Sequence, residues 1–223
     1  MNKKALLVLG FGVLSLIFLF TGCYPDDENQ NDQVVMLGDS IFALSGEIAN
    51  ELERLSGEVY RSYYVSGAEM EGGFVRPIPR QYNRAYNQDS DIRTIIMDGG
   101  GNDIQIGAAA KCTGREVTAD CMDALQAALE AADQLFSDMR ADGVQNIIYM
   151  NYFYILNEDK KPAFDWMHGQ MEALASRYDA IVVDPMPYMD PSLIGNDNIH
   201  PTDEGSQMLA NLIWDAMVEN GIE

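Results

Sequence analysis

The 223-residue chain holds only two histidines, so chemistry that needs an imidazole base must draw on His168 or His200. His200 lies in Asn196-Asp197-Asn198-Ile199-His200-Pro201. In a compact turn that spacing lets the Asp197 carboxylate take the imidazole Nδ1–H, fix the tautomer and stabilise the imidazolium formed when Nε2 accepts a proton. Such a base serves a hydroxyl, and Ser40 in Gly38-Asp39-Ser40-Ile41 stands where an apolar, strand-like run gives way to a helical pattern. The start of a helix offers unpaired N–H groups and the positive end of its dipole, which suit a developing oxyanion. Alone, a serine after a strand is more often a helix cap than a nucleophile, and Asp-x-x-His recurs often by chance as a solvated, helix-capping turn, so the reading rests on their company. His168, in Asp165-Trp166-Met167-His168, reads as a surface or partly packed side chain on a helix, with a substrate contact as the lesser alternative.

The elements around these residues alternate. Gln33 to Leu37 is a β-rich run, and Ile41, Leu44, Ile48, Leu52 and Leu55 then recur at helical spacing. A second extended stretch, Val59 to Val65, ends at Ser66-Gly67, and a third, Thr94 to Met97, ends in Asp98-Gly99-Gly100-Gly101-Asn102-Asp103. A helix is expected over Asp120–Arg140 with Gly143 as its stop, followed by a strand Ile147–Met150, a helix Ala163–Arg177, a strand Ala180–Val183 and a last helix Asp203–Val218. The stretch Gly72 to Asn87 reads as the least regular part of the domain. Five strands too apolar to leave a face wet argue for an α/β fold, a three-layer α/β/α sandwich around a five-stranded parallel sheet. Its site belongs beyond the carboxyl ends of the strands. Tyr152, Phe153 and Tyr154 follow the fourth strand, where they suit a subsite wall or the core, and the methionines read as core filling.

Taken together, Gly38-Asp39-Ser40-Ile41, Gly67 after the second strand, Gly100-Gly101-Asn102-Asp103 after the third and Asp197-Asn198-Ile199-His200 near the C-terminus resemble the four blocks of the SGNH/GDSL hydrolases in order and spacing. The resemblance spans roughly Val34 to Met217 and implies a flavodoxin-like SGNH-hydrolase fold. It also implies a serine esterase in which Ser40 attacks the acyl carbonyl, His200 is general base and then acid, and Asp197 orients His200. The implied oxyanion hole comprises the N–H groups of Ser40 and Gly67 and the side-chain amide of Asn102, with no metal and no organic cofactor. Asp39 and Asp103 read as braces for the loops. The chain departs from the family at Ile41, where the family name records leucine, and in a cysteine-bounded insertion after Asn102. Substrates consistent with the resemblance are small-molecule, glycan or lipid esters. The lid-forming apolar segment of a long-chain lipase is not evident, which favours small acyl groups such as acetyl. A lysophospholipase or thioesterase, an O-acyltransferase on the same triad, and a non-catalytic glycan-binding lipoprotein stay open as alternatives.

The N-terminus reads as an address. Lys3 and Lys4 precede an apolar run from Ala5 to Phe20, the pattern of a secretory signal. Leu19-Phe20-Thr21-Gly22-Cys23 resembles the bacterial lipobox, which implies lipidation of Cys23, although Phe20 sits where leucine is usual. The expected organisation is a signal peptide over 1–22, a polar tether over 23–32 and the hydrolase domain over 33–223, exported and held at a membrane of the cell envelope by the lipid. A net charge of −21 makes nucleic acid an improbable partner and suits a well-solvated surface. With Cys23 lipidated, Cys112 and Cys121 form an even pair able to bridge in an oxidising compartment.

Overall fold

The computed structural model describes residues 30–153 and 157–222. The expected signal peptide and Cys23 therefore lie outside the described residues, as do tether positions 24–29 and Tyr154. Five parallel strands, β1 (Gln30–Leu37), β2 (Val59–Ser62), β3 (Thr94–Met97), β4 (Asn146–Met150) and β5 (Ile181–Val183), pair in the order β2-β1-β3-β4-β5. Helices α1 (Ser40–Ala43), α2 (Glu47–Ser56), α3 (Ile78–Gln88), α4 (Gly101–Gln105), α5 (Ala119–Ala141), α6 (Lys161–Arg177) and α7 (Asp203–Glu219) connect and cover them. The three-layer α/β/α architecture expected from the alternation is the one observed.

Strand alternation sorts the core into two. Val35, Leu37, Ile95, Met97, Ile147 and Tyr149 face α3, α5 and α6, while Val34, Met36, Ile96, Ile148 and Met150 face α2 and α7. Both faces are buried, which is why these strands read as continuous apolar runs. Each fully buried Leu, Ile or Met contributes roughly 1.5–3 kcal/mol by removal of apolar surface from water. Among the described residues no helix is long and apolar enough to cross a membrane.

Three features differ from the sequence reading. The stretch Gly72 to Asn87 is not irregular throughout, because Ile78–Gln88 is a helix that buries Ile78, Gln81, Tyr82 and Ala85 at helical spacing. Pro77, Pro79 and the Gly72-Gly73 pair obscured that pattern, yet prolines at the start of a helix are well tolerated. The helix after Ser40 is two, separated where Gly46 adopts φ +73°. Strand β1 starts at Gln30, inside the expected tether, with Gln30 and Asn31 paired to Val59 and Tyr60 before the register shifts.

Candidate active site

The strand order reverses direction between β1 and β3, so their carboxyl ends open a crevice, and the loops after both strands meet there. At the end of β1, Gly38 has φ +150°, and a Cβ at this position would lie 2.0 Å from Asp98 Oδ1. Glycine alone permits that approach. Gln81 of α3, fully buried, pins the same peptide: the Gly38 N–H donates to Gln81 Oε1 at 2.8 Å and Gln81 Nε2 donates to the Gly38 carbonyl at 2.8 Å. The Asp39 N–H donates to Asp98 Oδ1 at 2.9 Å, and Asp39 Oδ1 in turn accepts from the Ile41 N–H at 3.0 Å, capping α1. Ser40 is thus the first residue of α1, and its N–H meets no protein acceptor among the described residues.

His200 reaches Ser40 through a turn that closes on itself. The Gly195 N–H donates to the His200 carbonyl at 2.7 Å and the Asn198 N–H to the Gly195 carbonyl at 3.0 Å, with Asn198 at φ +63°. Asp197 Oδ1 accepts from the N–H groups of Ile199 and His200, both at 3.0 Å, leaving Oδ2 to meet His200 Nδ1 at 2.6 Å. His200 Nε2 stands 2.8 Å from Ser40 Oγ. Burial works to raise the Asp197 carboxyl, but hydrogen bonds from the His200 ring and from the His200 and Ile199 N–H groups hold it at about 2. Asp197 is therefore ionised wherever the imidazole needs an acceptor.

The loop carrying Gly67 is tied to α4 by two adjacent side chains. Asn102 Nδ2 donates to the Ala68 carbonyl at 3.0 Å and to Asp39 Oδ2 at 3.2 Å. Asp103, 1% exposed, accepts from the N–H groups of Met70 at 2.7 Å and Glu71 at 2.9 Å. Gly67 itself has φ +80°, a left-handed conformation that a side chain would strain, and its N–H meets no protein acceptor among the described residues. Of the three groups expected to bind an oxyanion, the two backbone donors are thus unengaged, whereas both protons of the Asn102 amide are shared with Asp39 and Ala68.

Burial raises the Asp103 carboxyl to about 6 against the opposing bonds from Met70 and Glu71, with the charge of Glu69 adding to the rise. The native state therefore holds more protons at this site than the unfolded chain between about pH 4 and about pH 6. Stability from this group is fully present below that window and declines by about 3 kcal/mol as pH rises through it. Asp103→Asn removes the titration, so its unfolding free energy should change less steeply between pH 4 and pH 7. Denaturant unfolding of both proteins across that range is the check, and parallel curves would rule the titration out.

One side chain that the sequence reading did not single out for the site, Asp98, holds the Asp39 N–H next to Ser40. Asp98 is fully buried, and its Oδ2 has no hydrogen-bond partner among the described residues. Burial, then the charge of Asp39, pushes its carboxyl well above the ordinary range, which favours the protonated form. Burial also raises Asp39, although the Ile41 N–H and the Tyr152 hydroxyl favour its ionised form. Tyr152, whose hydroxyl donates to Asp39 Oδ2 at 2.6 Å, is itself pushed well above its usual value by burial and the Asp39 charge. A single extra acid in an apolar strand end is the only sequence signal Asp98 offered.

Ser40 and Asn102 open onto a small cleft walled by Ile41, Tyr152, Phe153, Phe164 and Ile199. His168 is partly packed, its Nε2 3.3 Å from Asp184 Oδ1 rather than near Ser40. Cys112 and Cys121 are joined in a disulfide with Cα atoms 5.1 Å apart, closing the insertion after Asn102. Buried Lys160 donates to the carbonyls of Ile104 and Ala110, which fastens that insertion to the start of α6. Among the described residues no group of three or more His, Cys, Asp or Glu side chains is placed to hold a metal ion.

The family model described as GDSL-like Lipase/Acylhydrolase matches residues 34–213. No curated protein matches the chain. Among solved structures, a catalytic mutant of an acetylxylan esterase from Geobacillus stearothermophilus is 15% identical, with 85% of this chain and 94% of that one covered at a TM-score of 0.62. A carbohydrate esterase family 3 protein from Talaromyces cellulolyticus is 15% identical over 84% and 96% of the two chains, TM-score 0.62. The psychrotrophic esterase EstA from a Pseudoalteromonas species is 14% identical over 88% and 100%, TM-score 0.60. At these identities the likeness is one of fold.

Proposed function

The chain belongs to the GDSL-like lipase/acylhydrolase family and is a serine ester hydrolase, and from that premise we propose that it removes small acyl groups, acetyl foremost, from carbohydrate alcohols. The observation that carries the mechanism is the unbroken line Ser40 Oγ, His200 Nε2, His200 Nδ1, Asp197 Oδ2, at 2.8 and 2.6 Å. Ser40 Oγ attacks the ester carbonyl carbon as its proton passes to His200 Nε2, and the imidazolium is stabilised by ionised Asp197. The carbonyl oxygen becomes an oxyanion that takes hydrogen bonds from the Ser40 and Gly67 N–H groups. Asn102 joins them by exchanging its longer bond, the one to Asp39, for the substrate oxygen. Each such donor is worth about 3 kcal/mol in the transition state. Collapse breaks the bond to the alcohol, which leaves with the proton from His200. Water, deprotonated by the same nitrogen, then attacks the acyl-Ser40 ester and releases the acid and the free serine.

Three observations favour a small acyl group. The cleft at Ser40 is small, its walls are aromatic or branched, and two neighbours in fold are named an acetylxylan esterase and a carbohydrate esterase. The apolar walls suit the acyl side, leaving the alcohol toward solvent, where a sugar is readily accommodated. The test is turnover of aryl acetate and of acetylated xylo-oligosaccharides by the purified domain, against aryl decanoate. Acetate release from both acetyl substrates, with decanoate poor, is expected. No turnover of any acetyl ester, or a preference for decanoate, would overturn the proposal.

The same reading places the protein at an envelope membrane, exported and tethered through lipidated Cys23. What supports it is the charged start, the apolar run and Gly22-Cys23. Mass spectrometry of the membrane-fraction protein should find acyl chains on Cys23 as the first residue; a mature chain beginning elsewhere, without lipid, would reject it.

A further inference from the structure

A second small pocket adjoins the cleft at Ser40. Its far side is formed by Met186, Lys161, Asp165 and His168, and its near side by Tyr152, Phe153 and Phe164, the same three rings that wall the cleft. The two spaces therefore share these three rings as a common wall.

The three rings are not held alike. Tyr152 is fixed by its hydroxyl bond to Asp39 at 2.6 Å, and is 9% exposed. Phe153 is 2% exposed and belongs to the core beneath α7. Phe164, four residues into α6, is only half-buried and makes an edge contact with Tyr152, ring centroids 6.0 Å apart at 77°. It packs against both hydrophobic clusters without belonging to either. Removing this ring alters the common wall while leaving the Ser40, His200, Asp197 and Asp39 contacts in place.

We propose that Phe164 sets the acyl-chain length, by closing the cleft at Ser40 off from the adjoining pocket. With the ring present, an acyl group bound to Ser40 meets an aromatic wall after a few carbons. With it gone, the chain runs on into the space bordered by Met186, Lys161, Asp165 and His168. Tyr152 is a poor place for such control, because changing it also strips a hydrogen bond from Asp39 next to the nucleophile. The proposal rests on the small-acyl reading above, in which the cleft takes the acyl side of the ester.

The experiment measures kcat/KM for aryl acetate, butyrate, hexanoate and octanoate with the wild type, Phe164→Ala and Phe164→Leu. Leucine preserves apolar packing should alanine destabilise α6, and near-ultraviolet circular dichroism identifies which variants are folded. Since one methylene in an apolar pocket is worth about tenfold or more, the hexanoate-to-acetate ratio should rise by about tenfold or more in Phe164→Ala, with Phe164→Leu intermediate. A wild type that prefers acetate and folded variants with an unchanged ratio would overturn the role of Phe164 and leave the small-acyl reading standing. A wild type that already prefers hexanoate or octanoate would overturn both.

Discussion

Replacing Ser40 with alanine should lower kcat by roughly 10⁴–10⁶, with little change in stability. Among the described residues the hydroxyl is the only one in bonding distance of His200 Nε2, and Ser45, the next serine along, pairs instead with Ser206. The lost oxygen leaves behind no orphaned charge. His200 keeps its Asp197 bond, and its side chain, 24% exposed, can take water at Nε2. The loop geometry that places residue 40 comes from Gln81, Asp98 and Asp39, none of which bonds the serine side chain. Thermal unfolding of Ser40→Ala should therefore match the wild type within a few degrees, since the truncation of this buried residue removes one oxygen and orphans no charge. His200→Ala should lose a similar factor, and the double variant no more than either, because the two act as one unit. Independent, additive losses would contradict the shared proton transfer.

Asp197→Asn should cost about 10⁴ in kcat while preserving the turn. The amide oxygen can still accept from the Ile199 and His200 N–H groups, as Oδ1 does now. Its amide nitrogen then faces His200 Nδ1, and because an NH₂ group only donates, the imidazole must accept at Nδ1 and carry its proton on Nε2. That Nε2–H points at Ser40 Oγ and is unable to take the serine proton. The protein is folded but holds the wrong tautomer. Nitrogen chemical shifts of the His200 ring should report the reversal directly. Asp197→Ala, by contrast, also abandons two backbone N–H groups and should loosen the turn as well as the chemistry. A loss below tenfold in Asp197→Asn would mean that Asp197 does not set the tautomer.

Much of the fold was legible because both sheet faces are buried, so β3 and β4 appear as bare apolar runs and the long helices show a clean stripe. The pattern failed where local rules overlap. Helix α3 hid behind Gly72-Gly73, Pro77 and Pro79, and with it Gln81, a buried amide whose partner, the Gly38 peptide, is 43 residues away. The close approach of Ser40, His200 and Asp197 was readable from a four-residue turn and one strand-to-helix junction, because Asp197 and His200 are local partners and Ser40 has a fixed place after β1. Asp98 was not, since its role depends on a contact beneath Gly38 that only the assembled sheet creates. Likewise nothing in the order of residues 152–168 announces that Phe164 returns from α6 to stand edge-on against Tyr152.

The central claim, that Ser40 is a nucleophile activated by His200, is tested most directly by treating the protein with a reactive alkyl phosphonate and locating the adduct by peptide mass spectrometry. One adduct per chain, on the peptide containing Ser40, with labelling lost in Ser40→Ala and greatly slowed in His200→Ala, is the expected result. An active esterase that stays unlabelled, or that carries its adduct on a different residue, would contradict it.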